Sequence, residues 1–114
     1  MSYIYLASPY ADPDEVVRQE RADLARRACA KLMLATGKPI FSPICHSHGL
    51  ADYLPEPLRH SHDFWTDMDL PLLTNAVGLA VLQLPGWTES RGVLAEIAFA
   101  TKHKIPVEYL PADY

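Results

Sequence analysis

Two carboxylates in this chain, Glu96 and Asp69, have surroundings that suit chemistry better than surface solvation. Glu96 falls in a predicted helix where positions 92, 93, 99 and 100 are Gly, Val, Phe and Ala, so no cation lies three or four residues away to pair with it. Helical side chains lean toward their own N-terminus, which sends Glu96 back over Gly92, a residue with no side chain to fill the space. A carboxylate facing an open notch beside a helix N-terminus is the start of a binding site. Buried unpaired carboxylates are costly, which argues for a functional role. Asp69, with Asp67 close by, supplies a second acid. Such a pair suits glycosidic chemistry, in which one group attacks the anomeric carbon and the other handles protons. Asp69 also has a plainer reading, as the cap of a helix segment beginning near Pro71.

Several residues could hold a ligand beside these acids. Ser8 follows a predicted first strand and Ser90 opens a predicted helix. Hydroxyls beside free backbone amides hold phosphates, although both serines also read as turn and cap residues. Trp87, in the turn Leu84-Pro85-Gly86-Trp87, offers a stacking surface for a base or sugar, with a core aromatic as the alternative. Tyr5 alternates with Ile4 and Leu6 in a strand buried on both sides, so its hydroxyl needs a partner, and Glu96 would serve. The run Cys45-His46-Ser47-His48, with His60 and His62, invites a metal. In an extended segment His46 and His48 face the same way, as a shared ion requires. The spacing matches no zinc motif and offers no third ligand, so substrate contacts or loop hydrogen bonds are the preferred role, with no metal and no cofactor expected.

These side chains need elements to position them. Residues 3–7 predict a strand ending at Ser8-Pro9-Tyr10. Asp12 as N-cap and Pro13 at the first helical position open a helix whose apolar face is Val17, Leu24, Ala25, Ala28 and Leu32, closed by Gly37. Residues 39–42 predict a second strand near the sheet edge, because of Pro39. From 43 to about 62 the chain is polar and proline-bearing, and reads as an irregular functional loop. Residues 64–75 predict a helix, with a kink or fresh start at Asp69-Leu70 forced by Pro71. Gly78 to Leu84 is a buried strand, Ser90 caps a helix facing inward through Val93, Leu94, Ile97, Ala98 and Ala100, and residues 107–110 form a last strand. Alternating strands and helices predict one α/β domain over residues 1–114, a small Rossmann-like (flavodoxin-like) parallel sheet of four to five strands with helices on both faces. Ligands in such folds sit beyond the carboxyl ends of the strands, where Ser8, the His46 segment, Trp87 and Ser90 all fall.

Composition narrows the partners. With 114 residues, 49% hydrophobic and 21% charged, the chain has room for a single core. A net charge of -4 provides no basic stripe for a nucleic-acid backbone. Arg18, Arg21, Arg26 and Arg27 are interleaved with Glu20 and Asp23, and most of that cluster reads as a solvated helix face. No run is long enough to span a membrane, no signal-peptide pattern opens the chain, and two cysteines fit a reducing cytoplasm.

The segments Tyr5-Leu6-Ala7-Ser8-Pro9-Tyr10 and Phe41-Ser42-Pro43-Ile44-Cys45-His46-Ser47-His48 carry a family resemblance, together with Asp69, Leu84-Pro85-Gly86-Trp87 and Ser90-Arg91-Gly92 leading to Glu96. The chain resembles a functionally uncharacterised bacterial and phage family related to the nucleoside 2-deoxyribosyltransferases and the deoxynucleoside 5′-monophosphate N-glycosidases. That resemblance implies that Glu96 is the nucleophile toward C1′ of the sugar, that Asp69 assists departure of the base, and that Tyr5 positions the nucleophile. It implies that Ser90 and Gly92 form the turn for a 5′-phosphate, with Ser8 as the hydroxyl after the first strand. Pro9, Tyr10 and Ala11 stand where those hydrolases carry an arginine and glycines. The resemblance also implies a homodimer or homotetramer in which neighbouring subunits complete the site. A nucleoside or nucleotide is the expected small-molecule partner. The other expectations are a non-catalytic nucleotide or sugar-phosphate binding module using the same pocket, and a metal-dependent hydrolase built on the histidines.

Overall fold

Four short strands form one parallel sheet in the order β2-β1-β3-β4, with β1 at Ile4–Ala7, β2 at Ile40–Phe41, β3 at Gly78–Leu82 and β4 at Val107–Leu110. The computed structural model describes residues 2–114. Five helices connect the strands: α1 (Glu15–Thr36), α2 (Pro43–Leu50), α3 (Glu56–Arg59), α4 (His62–Thr74) and α5 (Arg91–Lys102). The central strands pair from Ile4 opposite Gly78 to Ala7 opposite Val81. They are covered on both faces, which is why they read as unbroken apolar runs. Their side chains alternate between two cores. Leu6, Ala80 and Leu82 meet Ala28, Cys29 and Leu32 of α1 on one face. Tyr5, Ala7, Leu79 and Val81 meet Leu73 of α4 and Val93 and Ala100 of α5 on the other.

This is the strand order of a flavodoxin-like sheet without its fifth strand, a small Rossmann-like α/β fold. The chain leaves β1 toward β2, while β3 lies on the other side of β1. Loops after β1 and β3 therefore diverge and open a crevice at the carboxyl ends of those strands. No helix among the described residues is long and apolar enough to cross a membrane.

Local structure departs from the sequence-based expectation at several points. Asp14, not Asp12, caps α1 by accepting from the Val16 amide, because Asp12 Oδ1 is already engaged by the Asp14 amide at 2.9 Å. Leu24 is exposed, and Ala22 and Cys29 join the buried stripe of α1 instead. The supposed irregular loop after residue 42 is mostly helical. Ser42 caps α2 by accepting from the Cys45 amide, Pro43 occupies its first turn, and a 3₁₀ turn at Ala51–Tyr53 leads to the single turn of α3. Serine followed by proline is a strong helix start, and it outweighs the polar composition here. Helix α4 runs unbroken through Pro71 from its Ser61 cap, so Asp69 lies inside it and caps nothing. The missing Pro71 amide forfeits one bond, which the rest of the helix tolerates. Strand β3 ends at Leu82, two residues early, although Leu84 stays buried, and Leu94 of α5 faces out.

Candidate active site

The crevice at the ends of β1 and β3 is a pocket of about 770 Å³, within the usual range for small-molecule sites. Its floor comes from the strand ends and α5. Ser90 caps α5 by accepting from the Val93 amide at 3.3 Å, leaving the amides of Arg91 and Gly92, first-turn donors with no intrahelical partner, at the pocket edge. A Cβ built on Gly92 would meet nothing within 4 Å, so the notch anticipated there is open space. Glu96, one turn on, lines the same pocket.

Tyr5 is fully buried in β1 and donates its hydroxyl hydrogen bond to Glu96 Oε2 from behind the pocket wall. Glu96 keeps partial exposure toward the pocket, while protein surrounds its carboxyl closely. Burial, with the Asp69 charge adding to it and the Tyr5 hydrogen bond opposing, pushes the Glu96 pKa up to about 8. Burial and the neighbouring Glu96 push the Tyr5 hydroxyl up as well, so it stays a donor. Asp69, reaching the pocket from α4, is raised by burial to about 6. The two ion pairs among the described residues, Arg27–Asp23 and Arg59–Glu56, lie on helix surfaces and touch neither acid.

Ser8 sits at the end of β1, 6% exposed, and its Oγ is buried without a hydrogen-bond partner. A buried hydroxyl left unsatisfied costs roughly 1–3 kcal/mol, and Ser8 lines the pocket, so a polar ligand atom is the natural partner. Cationic groups stand nearby. Arg18 lines the pocket while donating to the Asp12 carbonyl, Arg59 is held by the Leu54 carbonyl at 2.8 Å, and Arg91 opens α5. Of the arginine cluster, Arg26 and Arg27 are exposed as a solvated face requires, while Arg18 and Arg21 are half-buried, Arg21 binding the carbonyls of Ala11 at 3.0 Å and Pro85 at 3.1 Å.

Glu96, Asp69, Ser8, Ser90 and Gly92 therefore share one pocket, with Tyr5 behind Glu96. Trp87, His46 and His48 do not line it. Trp87 sits in a 3₁₀ turn, packed on the α5-side core and against Tyr109 with ring centres 5.7 Å apart. His46 and His48 lie on α2, where a spacing of two sends them to different sides of the helix rather than the same side. His46 is exposed beside Phe41, and His48 Nδ1 bonds the Tyr10 hydroxyl at 2.7 Å, reaching the pocket only through Tyr10. Among the described residues, no three His, Cys, Asp or Glu side chains converge to hold a metal ion.

The histidines in the pocket are His60 and His62, and its aromatics are Trp65 on one side and Tyr10, held by His48, on another. Sequence reasoning passed over Trp65 and Thr66, yet the signal was present. His62, Trp65, Thr66 and Asp69 fall at i, i+3, i+4 and i+7, one face of one helix, and all four line the pocket.

Fold and pocket together define a small Rossmann-like α/β protein with a carboxylate-bearing cleft at the topological switch point of its sheet. The chain belongs to the family described as a domain of unknown function, DUF1937, which it matches over residues 2–111. No curated protein matches it.

Proposed function

We propose that this protein cleaves or transfers the N-glycosidic bond of a nucleoside or nucleoside 5′-monophosphate, with Glu96 as nucleophile and Asp69 as the acid. The observation that carries this reading is a pair of unpaired carboxyls, raised to different extents, in one pocket where a buried tyrosine hydroxyl fixes one of them. The resemblance to the deoxyribosyltransferases and nucleotide N-glycosidases supports the same assignment. Glu96 attacks C1′ as the C1′–N bond breaks, the electron pair leaves with the base nitrogen, and Asp69 protonates the base. Water or a second base then attacks C1′ of the glycosyl-enzyme, Asp69 takes up the incoming proton, and the anomeric configuration is retained overall. Between about pH 6 and about 8 the two carboxyls hold one proton between them. The productive arrangement places it on Asp69, and the Tyr5 hydrogen bond favours that arrangement by stabilising ionised Glu96.

A 5′-phosphate fits the other end of the pocket. The Ser8 hydroxyl, the free amides at the start of α5 and the Arg91 side chain are the donors it needs, so 5′-phosphorylated ligands are expected to outbind nucleosides. The proposal includes a homodimer or homotetramer, supported by the exposed Met68 and Leu72 of α4 and Leu94 of α5, and a cytoplasmic setting, supported by the free Cys29 and Cys45. The test is a chromatographic panel of nucleosides and 5′-nucleotides scored for free base, run with wild-type protein and with Glu96→Gln. Base release by the wild type should fall on the order of a thousandfold in the variant. Tight binding of nucleotides with no base released from any of them would sink the enzyme reading in favour of a sensor.

A further inference from the structure

The two tryptophans have different surroundings. Both are half-buried, but Trp87 packs against the α5-side core and stays outside the pocket, whereas Trp65 packs on neither core and lines the pocket. Its indole Nε1 already donates to the Arg59 carbonyl at 2.9 Å, which satisfies its one polar atom. Phe64 stands edge-on to the indole, with ring centres 5.1 Å apart at 81°, and helps to fix the ring plane. An aromatic side chain held in this way has its π-face left to offer. Asp69 follows four residues later on the same helical face, about 6 Å along the axis at 1.5 Å per residue. A flat ring lying on Trp65 is therefore within one helical turn of the carboxyl. On the same face, His62 Nε2 and Thr66 Oγ1 approach to 3.4 Å, which leaves His62 Nδ1 and the second hydrogen-bonding site of the Thr66 hydroxyl for the edge of such a ring.

We propose that Trp65 is the stacking platform for the leaving group, that this group is a planar nitrogen heterocycle, and that His62 and Thr66 face its edge. The inference rests on the N-glycosidic reading of the pocket and assigns it the base subsite. Base–aromatic stacking is worth on the order of tenfold or more in affinity per base. The test is calorimetry with deoxyadenosine 5′-monophosphate and 2-deoxyribose 5-phosphate as probes, on wild type, Trp65→Ala and Trp65→Phe. Trp65→Ala should weaken the nucleotide about tenfold or more and leave the sugar phosphate within about twofold, while Trp65→Phe keeps most of the nucleotide affinity. The Phe variant, with its smaller change, covers the case in which the Ala variant does not fold. The proposal is overturned if the wild type binds the nucleotide no better than the sugar phosphate, if both probes weaken together, or if neither variant affects the nucleotide. Nucleotide binding that depends on Trp65, without any turnover, would remove the glycosidase reading and leave the platform standing. Turnover indifferent to Trp65 would do the reverse.

Discussion

The two walls of the pocket are built by different means. One wall is backbone and core: Ser8 at a strand end, the first turn of α5, and Glu96 with fully buried Tyr5 behind it. The other is a row of side chains on α4, whose thirteen residues bury only Leu73 while Met68 and Leu72 remain exposed. The first wall can shift only by disturbing the central strands. The second is anchored lightly, and lightly anchored elements are the ones that adjust. On the proposed reading, the nucleophile stands on the fixed wall, where geometry must be tight, and the proton donor on the wall proposed to meet the leaving group. On that reading, chemistry and recognition are divided between the core-backed α5 and the exposed face of α4.

Glu96→Gln tests the fixed wall most severely, through stability as well as turnover. The folded pKa of Glu96, about 8, lies above its ordinary value of 4.5, so the native state holds the proton more tightly than the unfolded chain. Wild-type stability should therefore fall as pH rises from about 4.5 and level off above about 8. Gln has nothing to ionise and can still accept from Tyr5. Thermal or urea unfolding should show the variant matching wild type near pH 5 and exceeding it above pH 8 by up to about 4 kcal/mol. A variant less stable than wild type at every pH would mean that Glu96 is a structural group.

Asp69→Asn probes the adaptable wall. Wild-type turnover should be bell-shaped, rising through about pH 6 and falling through about pH 8, because the productive state needs Glu96 ionised and Asp69 protonated. The variant should lose about a hundredfold on bases that need protonation, and less on bases that leave unaided. Its alkaline limb should vanish, since no acid remains to be lost, and its rising limb should move up from about pH 6 to somewhat below 8, because Glu96 then titrates alone without the Asp69 charge that helps to raise it. A retained alkaline limb would place the proton donor elsewhere.

Ser8→Ala is the mildest change and bears on the phosphate end. Removing a buried hydroxyl with no partner should leave the melting temperature unchanged or slightly higher, whereas affinity for a 5′-nucleotide falls about tenfold and that for the matching nucleoside does not. Equal losses for nucleotide and nucleoside would detach Ser8 from the phosphate.

Much of the fixed wall was legible in the sequence because it depends on local rules. The unbroken apolar strands, the Ser90 cap and the Gly92 notch all follow from spacing within one element. The Tyr5 hydroxyl was legible by elimination, as a polar group in a strand covered on both faces. The adaptable wall was harder to see. Helix α2 was obscured because histidine-rich composition was given more weight than the Ser42-Pro43 start. Trp87 reads equally as a stacking surface or a core aromatic, because turn chemistry shows that residues 84–87 bend without showing which way the bend faces. Tertiary contact decides that, and it sends Trp87 toward Tyr109. The row from His62 to Asp69 was hidden by Pro71, which suggested a break that the helix does not make.

The Arg21 guanidinium spans two loops far apart in sequence, holding the Tyr10 and Ala11 carbonyls with one nitrogen and the Pro85 carbonyl with another. A Cβ at Gly86 would fall 2.8 Å from that guanidinium, and the backbone there has φ of 92°, so the turn has settled around its clasp. Lysine has only a point charge on a flexible stem and could not reproduce such a fork. The clasp joins the chain after β1 to the chain after β3, so its geometry depends on the pairing of those two strands. Neither loop can be lengthened or regrafted alone without disturbing the other. For an engineer, Ser8 to Asp12 and Leu84 to Trp87 are a single exchangeable part delivered in two pieces.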